Sequence, residues 1–399
     1  MRAVSVRLGD VAKFVRGITF KPTDVLTEEC IDALGCMRTK NVQEILDERD
    51  VWRLPKNFIS NQNQLLQEGD LLVSTANSWN LVGKACWVPK LEYACTFGGF
   101  ISALRGNEDM IKRRYLYHWF TSKHVQETLR SFGNKTTNIS NLNLKRASDL
   151  QIPLPPLAEQ QRIAALLDTA DRILKLRESS IVKLDELEKR VFVEMFGDAL
   201  AGTGKYKSLS FESITTRITY GFTSPMRHLE SGIPILTAKN IKNGYIDLDN
   251  IHFADRKQFD DLSEKSKPRK GDVLITKDGT IGRTALVDSD ETYCINQSVA
   301  LVQLKNDLVT PQYTVGYLTA DSTQRAMKNM SKGNALKHLQ ITELAKFPIP
   351  LPPMDYQNKY SSFVKEIKLK KQKINKSLVI ANALIASLQH QAFTTGFNA

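Results

Sequence analysis

A proline-rich hexapeptide occurs twice in this chain, and the two copies are nearly identical. Ile-Pro-Leu-Pro-Pro-Leu spans residues 152–157, and Ile-Pro-Leu-Pro-Pro-Met spans residues 349–354. Almost half of the 399-residue chain separates them. Each copy is followed by an acidic residue, a polar patch and a long helical pattern. A repeat at this distance predicts that the protein consists of two similar units.

Three further pairs of segments match in the same order along the chain. They are residues 39–41 with 238–240, residues 69–75 with 271–277, and residues 133–134 with 333–334. The spacing within the pairs drifts by a few residues, as loop insertions between shared strands produce. The order of the matches predicts the duplication of a whole domain.

The first part of each unit is rich in strand patterns and also contains helical ones. The predicted strands are short apolar or β-branched runs at residues 70–75, 233–236, 272–276, 285–287 and 299–304. Apolar residues at helical spacing mark residues 109–130 and 310–330. We therefore expect two α+β domains of roughly 150 residues each.

A helix without proline or glycine is predicted after each proline motif, because proline is tolerated in a first helical turn. Positions spaced alternately by three and four residues are mostly apolar, which is typical of a coiled coil. In the first helix they are Leu167, Ala170, Leu174, Arg177, Ile181, Leu184, Glu188, Val191 and Met195. In the second helix they are Val364, Ile367, Lys371, Ile374, Leu378, Ala381, Ile385, Leu388 and Ala392.

These patterns divide the chain into a domain at residues 1–152, a helix at 153–197, a domain at 198–348 and a helix at 349–399. If the two helical seams pair, the second helix runs antiparallel to the first, and the repeat acquires an approximate two-fold axis. About 40 helical residues give a rod of roughly 60 Å, which predicts a dumbbell. The alternative is that each amphipathic helix packs only on its own domain.

Composition indicates a soluble cytoplasmic protein that favours a polyanion as partner. The formal net charge is +12, which favours nucleic acid. The five cysteines are odd in number and form no C-x-x-C pair, so reduced thiols are expected and a zinc site is not. No apolar run approaches the roughly 18 residues that a membrane span needs.

No catalytic or cofactor-binding set is recognisable in the sequence. Gly202-Thr-Gly-Lys205 lacks the spacing and the hydroxyl residue of a phosphate-binding loop. The Asn/Asp-Pro-Pro-aromatic motif of amino-methyltransferases is absent, since leucine precedes both Pro-Pro pairs. The acidic residues at 185–188 are best interpreted as a solvated helix face. We therefore expect a recognition protein that is not an enzyme and binds no cofactor.

Polar and basic segments recur at equivalent places in the two units and are candidates for contact with nucleic acid. Lysine suits contact with phosphate, and asparagine pairs well with adenine. The alternative is an ordinary exposed loop at each place. The lysine-rich second helix (residues 365–376) either touches phosphates or is a solvated face. The candidate DNA-binding residues are Arg38, Lys40, Asn41, Asn77, Trp79, Lys84, Asn134, Lys135, Asn138, Lys239, Asn240, Lys242, Lys277, Thr280, Arg283, Lys332, Asn334 and Lys337.

The whole chain resembles the specificity subunits of type I restriction–modification systems. The residues that carry this resemblance are the paired proline motifs, Ala-Glu-Gln-Gln-Arg-Ile at 158–163, the Gly-Asp strands, Asp-Gly-Thr-Ile-Gly at 278–282 and the two long helices. The second copy departs from the signature at residues 355–359, which read Asp-Tyr-Gln-Asn-Lys.

The resemblance implies two target recognition domains, each of which reads one half of a bipartite, asymmetric sequence in double-stranded DNA. It implies that the helices set the gap between the half-sites and dock two modification (methyltransferase) subunits, and that restriction subunits join the complex. The methyl-transfer chemistry would then belong to the modification subunits. An RNA-binding scaffold and a coiled-coil adaptor without nucleic-acid contact are the alternatives.

Overall fold

A computed structural model describes residues 4–26, 33–132, 134–135, 139–330 and 338–395, with backbone only for 134–135 and 394–395. The chain forms two compact units. The first combines Met1–Arg177 with Ser377–Ala399, and the second is Glu178–Lys376. Each unit therefore contains one globular domain and a part of both long helices.

The first unit contains twelve strands among its described residues. They are β1 (Val4–Arg7), β2 (Ala12–Arg16), β3 (Ala33–Met37), β4 (Trp52–Pro55), β5 (Leu71–Ser74), β6 (Ala76–Asn77), β7 (Ala85–Trp87), β8 (Cys95–Phe97), β9 (Ile101–Gly106), β10 (Asn134–Lys135), β11 (Ser140–Asn141) and β12 (Gln151–Leu154). Its helices are α1 (Leu8–Val11), α2 (Arg113–Thr121), α3 (Lys123–Ser131), α4 (Leu144–Ser148) and the first half of α5 (Leu157–Phe196).

The second unit repeats this order with small differences. Its strands are β13 (Ser208–Ser210), β14 (Thr215–Tyr220), β15 (Ile233–Leu236), β16 (Ile241–Lys242), β17 (Tyr245–Ile246), β18 (His252–Ala254), β19 (Val273–Thr276), β20 (Thr284–Leu286), β21 (Cys294–Ile295), β22 (Val299–Leu304) and β23 (Pro348–Pro350). Its helices are α6 (Arg256–Asp260), α7 (Pro311–Thr319), α8 (Asp321–Met330), α9 (Ile341–Lys346) and the first part of α10 (Met354–His390).

The two larger sheets that the domains share correspond strand by strand. An antiparallel four-stranded sheet has the order β2-β9-β5-β7 in one domain and β14-β22-β19-β20 in the other. A three-stranded sheet has the order β4-β3-β8 or β18-β15-β21, and its β3–β8 and β15–β21 pairs are parallel. The predicted duplication of an α+β domain is confirmed by this shared topology.

Each proline motif begins in a two-stranded ribbon, where the missing N–H of proline is tolerated. Strand β12 pairs with β1, and β23 pairs with β13. The first and last strands of each domain are thus neighbours, so the long helix leaves each domain at the place where that domain begins.

One interior strand of each four-stranded sheet, β5 or β19, is buried on both faces. Leu71 and Val73 of β5 pack in the cluster that contains Tyr115 and Trp119, whereas Leu72 packs against Phe97. Residues on β19 alternate in the same way between two clusters. This two-sided burial explains why both strands follow the Gly-Asp turns as uninterrupted apolar runs.

The segments predicted to be helical at 109–130 and 310–330 each form two helices. Ser122 and Ala320 adopt extended backbone and interrupt the helices. At both breaks a glutamine side chain donates a hydrogen bond to a backbone carbonyl, from Gln126 to Phe120 at 2.8 Å and from Gln324 to Leu318 at 2.6 Å. The side-chain amide thus replaces a helical hydrogen bond at each break.

The seam positions of α5 and α10 are confirmed. All eighteen predicted positions are partly or fully buried, and most residues between them are exposed. In the second unit, Lys371 Nζ lies 3.1 Å from Glu188 Oε2, and the rings of Phe192 and Tyr360 lie 5.4 Å apart.

In the first unit, Arg177 Nη1 donates to the carbonyl of Ser377 at 3.2 Å. The Phe393 ring, just after α10, packs 5.5 Å from that of Tyr115. The end of one helix thus lies beside the start of the other, and the pair is antiparallel. The alternative that each helix packs only on its own domain is wrong. Among the helices of the described residues, none has the length and apolar character needed to cross a membrane.

Candidate nucleic-acid interface

Three sequence segments that were predicted to contact nucleic acid converge at one edge of the first domain. Strand β6 pairs with β11, which pairs with β10, so Asn77, Ser140 and Lys135 occupy one small sheet. Lys84 Nζ donates to Gln43 Oε1 at 2.9 Å, which places the segment at residues 38–43 beside this sheet. We call this part of the domain the first edge; its described residues are 38–43, 75–84, 134–135 and 139–141.

The same convergence occurs in the second domain. The amide of Leu339 donates to the carbonyl of Lys277 at 2.8 Å. Ser298 joins the other two segments, because its hydroxyl accepts from the amide of Ala238 and its carbonyl from the amide of Lys277, both at 3.0 Å. We call residues 237–243, 276–284 and 338–339 the second edge.

Arg38 and Lys40 at the first edge are both paired with Asp50. The guanidinium of Arg38 lies 3.8 Å from the ring centroid of Trp52 and 3.1 Å from a carboxylate oxygen of Asp50. Lys40 Nζ contacts the other oxygen of the same carboxylate. Two cations thus share one carboxylate, so the cluster of Arg38, Lys40 and Asp50 retains a net positive charge in a fixed position.

Asn41 and Asn240 are buried, and their amides are occupied within each domain. Asn41 accepts from the amide of Arg38 and donates to the carbonyls of Asp47 and Asp50. Asn240 accepts from the amide of Thr237 and donates to the carbonyl of Asp247. These contacts hold a tight turn, which explains the repeated Lys-Asn pattern without any contact to a base. We assign both asparagines a structural role.

The other candidates at the first edge differ in their surroundings. Asn77 donates to Ser74 Oγ at 3.0 Å and accepts from the amide of Ser78 at 2.8 Å. Trp79 is exposed and Lys84 half-buried. Asn134 and Lys135 lie on β10. Asn138 lies outside the described residues.

The second edge presents a mixture of exposed and paired groups. Lys239 and Thr280 are exposed, and Arg283 is half-buried. Lys242 Nζ lies 3.3 Å from Asp247 Oδ2, and the pKa of that carboxyl is lowered by a backbone hydrogen bond from Asp249 and by Lys242. The side chain of Lys277 is only 8 % exposed. Lys332, Asn334 and Lys337 lie outside the described residues.

Sequence reasoning missed Phe100, whose side chain is 67 % exposed beside the first edge. Its carbonyl accepts from the amides of Thr75 and Ala76 at 3.0 and 3.1 Å. The preceding Gly98-Gly99 pair was an available sign of a turn. Asn141 and His338, which face these segments across β-bridges, were also absent from the predicted set. Within the described residues, no cluster of three or more histidine, cysteine or acidic residues is arranged to hold a metal ion.

The family of the chain is established by comparison with known proteins. The family model described as a type I restriction modification DNA specificity domain matches twice, at residues 3–186 and 222–379. The chain therefore belongs to this family, and the predicted resemblance is confirmed. An RNA-binding scaffold and a simple coiled-coil adaptor are not favoured by this membership.

Named relatives include specificity subunits from distant organisms. The chain is 26% identical to the EcoKI specificity subunit of Escherichia coli K12, over 96% of this chain and 86% of that protein. It is 22% identical to the MjaVIII specificity subunit of Methanocaldococcus jannaschii, over 91% and 85% of the two chains.

Solved structures show the same fold at low sequence identity. A type I restriction–modification S subunit from M. genitalium aligns with a TM-score of 0.59 at 14% identity, over 98% of this chain and 96% of that one. A chain from a study of complex assembly and conformational transition in a type I R-M system aligns with a TM-score of 0.58 at 16% identity, over 98% and 97%.

Proposed function

We propose that this protein is the non-catalytic, sequence-specific DNA-binding subunit of a cytoplasmic type I restriction–modification complex. The observation that carries the proposal is the convergence of polar and basic segments at one edge in each of two matching domains. An edge that combines cations with exposed polar side chains suits the contact of phosphates and the reading of base edges. Two such edges that differ in residue type suit a bipartite, asymmetric target.

We assign residues 1–152 and 198–348 as the two target recognition domains, and residues 153–197 and 349–399 as the spacer helices. The proposed DNA contacts are the candidate residues named from the sequence, other than Asn41 and Asn240. Exposed Phe100 is added because apolar side chains contact the methyl group of thymine. We propose that the helices set the distance between the two half-sites, since each helical residue adds about 1.5 Å of length.

The spacer helices carry exposed apolar residues that suit the docking of modification subunits. In the first unit, Val379 is 70 % and Ile380 is 69 % exposed, and Leu384 is also exposed. In the second unit, Val182 and Leu369 are exposed. Apolar side chains concentrated on helices whose seams are already filled are typical of surfaces that bind another protein. Restriction subunits would then join through that assembly.

The lysines of α10 divide between the two roles that the sequence left open. Lys371 is half-buried against Asp185 and Glu188, and Lys368 pairs with Asp288. Both lysines are therefore already paired with acidic residues of the second unit. Lys365, Lys370, Lys373 and Lys376 are exposed, and we propose that they lie along the DNA phosphates between the half-sites.

The direct test is to map methylated bases in the genome of the host strain. We expect a bipartite motif that disappears when the gene for this chain is deleted. Replacing residues 1–150 with those of another family member should change one half-site and leave the other unchanged. A methylation pattern that is identical with and without the gene would refute the proposal.

The spacer role has its own test. Deleting seven residues from each long helix keeps the heptad pattern and shortens the pair by about 10 Å, which corresponds to roughly three base pairs. We expect the gap between the half-sites to shrink while both half-sites stay the same. A change in either half-site would contradict the assignment of the helices as spacers.

A further inference from the structure

A lysine, an aspartate and a histidine form a cluster at the second edge. The Nζ of Lys277 donates to Asp278 Oδ2 at 2.9 Å and lies 5.2 Å from the ring centroid of Tyr220. Asp278 Oδ1 contacts Nδ1 of His338, and the two residues form an antiparallel β-bridge. The side chain of Lys277 is 8 % exposed, whereas that of His338 is 41 % exposed. The buried lysine and the carboxylate therefore support a histidine that reaches the surface.

The first domain has the same backbone arrangement with neutral residues. The amide of Leu142 donates to the carbonyl of Thr75 at 2.8 Å, as the amide of Leu339 does to the carbonyl of Lys277. Ala76 pairs with Asn141 where Asp278 pairs with His338. Thr75, Ala76 and Asn141 are therefore the counterparts of the charged cluster.

The comparison of the two domains indicates that the fold does not require this cluster. The first domain keeps the sheets and the bridge without a lysine, an aspartate or a histidine at these positions. Burying a lysine amine costs free energy that a neutral side chain avoids. A cluster that the fold does not need, placed where three candidate DNA-binding segments meet, indicates a role in recognition.

We propose that His338, oriented by Asp278 and Lys277, contacts a base in the major groove and sets the sequence preference of the second domain. The inference rests on the proposed function. An ionised Asp278 can only accept a hydrogen bond, so its contact requires the proton on Nδ1; in that tautomer Nε2 is a hydrogen-bond acceptor. Such an acceptor suits the exocyclic amino group of adenine or cytosine. Asn141 occupies the equivalent place in the first domain, where its amide offers both a donor and an acceptor.

The test replaces the chromosomal gene with the His338→Ala or the Asp278→Asn variant in the host strain and maps methylated bases. Loss of one base contact should relax the preference at one base pair of one half-site by roughly ten-fold, and the other half-site should stay the same. His228→Ala, which changes an exposed histidine of the same domain, is the matched control and should leave the motif unaltered.

The outcomes distinguish this inference from the proposed function. If the wild-type chain directs a bipartite motif and neither variant alters it, His338 is not a reading residue and the proposed function stands. A folded variant that loses methylation without any change in preference also overturns the inference, and thermal melting of the purified protein identifies that case. If the wild-type chain directs no motif, both proposals fail together.

Discussion

Gln160 and Gln357 make the same three hydrogen bonds in the two domains. Gln160 Oε1 accepts from the amide of Lys112 at 2.8 Å, and its Nε2 donates to the carbonyls of Met110 and Pro155 at 3.1 and 2.9 Å. Gln357 accepts from the amide of Thr310 at 2.8 Å, and donates to the carbonyls of Leu308 and Pro352 at 3.1 and 2.9 Å. Each glutamine thus ties a proline motif and its long helix to the start of a helix in the domain.

Replacing either glutamine with leucine should destabilise the unit that contains it. The change leaves a buried amide and two carbonyls without their partner, and each such group costs about 1–3 kcal/mol. We expect faster hydrogen exchange around residue 112 in Gln160→Leu and around residue 310 in Gln357→Leu. The neighbouring exposed residue allows a control, Gln161→Leu, which should exchange like the wild type.

Lys371 and Glu188 should be energetically coupled in the helical seam. Burial lowers the pKa of Lys371, but Asp185 and Glu188 raise it more, so its net pKa lies above the usual value. The stabilisation is therefore complete at neutral pH and is lost only as the pH rises through that higher pKa.

A double-mutant cycle with Lys371→Met and Glu188→Gln should give a coupling of about 1 kcal/mol in chemical unfolding. The exposed pair Lys189–Asp321, at 3.3 Å in the same unit, is the comparison and should couple much more weakly. Equal coupling in the two cycles would show that the seam pair contributes no more than a surface pair.

Asp50 should restrain DNA binding at the first edge because it neutralises part of the charge on Arg38 and Lys40. The Asp50→Asn variant is expected to bind random-sequence duplex DNA more tightly. Its affinity should also depend more steeply on salt, by about one released counterion. Fluorescence titrations across a salt series measure both quantities.

The charge-matched control is Asp290→Asn, which frees Lys270 from an exposed pair outside both edges. It adds the same net charge at a different place. Equal gains in the two variants would mean that overall charge, rather than the position of Arg38 and Lys40, controls affinity.

Asp168 should make the first unit sensitive to acid. Its carboxylate contacts Nε2 of His118 at 2.7 Å and is paired with Arg114. Burial raises the pKa of Asp168, but hydrogen bonds from His118 and Arg114 outweigh burial and lower the pKa to about 2. The pKa of this carboxyl is lower in the folded protein than in the unfolded chain, where it is about 4. The ionised carboxylate therefore stabilises the folded state above about pH 4, and this stabilisation is lost as the pH falls towards 2.

The Asp168→Asn variant should therefore unfold more easily at neutral pH, by about 1 kcal/mol after allowance for solvent screening. The difference from the wild type should shrink as the pH falls from about 4 to 2. Denaturant unfolding at several pH values measures this, with exposed Asp307→Asn as control. A difference that is constant with pH would exclude the carboxylate charge as its source.

The site was predicted unevenly, and particular residues show why. The Lys-Asn pattern marked segments that the structure brings to one edge of each domain, but a sequence does not reveal that the amides of Asn41 and Asn240 are occupied within a buried turn. The apolar spacing also continues across Ser122 and Ala320, so it did not show the two helix breaks. The charged cluster around His338 depends on a β-bridge between residues distant in the chain, which no local pattern encodes.

The sequence by itself determined the duplication, the α+β domains and the helical seams, because internal repeats and the regular spacing of apolar residues are visible in the order of the residues. The second copy departs from the family signature at residues 355–359 but keeps Gln357, the residue that makes the buried bonds. Only the tertiary structure decided that α10 returns to the first domain and that three separated segments meet at each edge. Those outcomes depend on long-range packing and pairing, which come from the summed contacts of residues far apart in sequence.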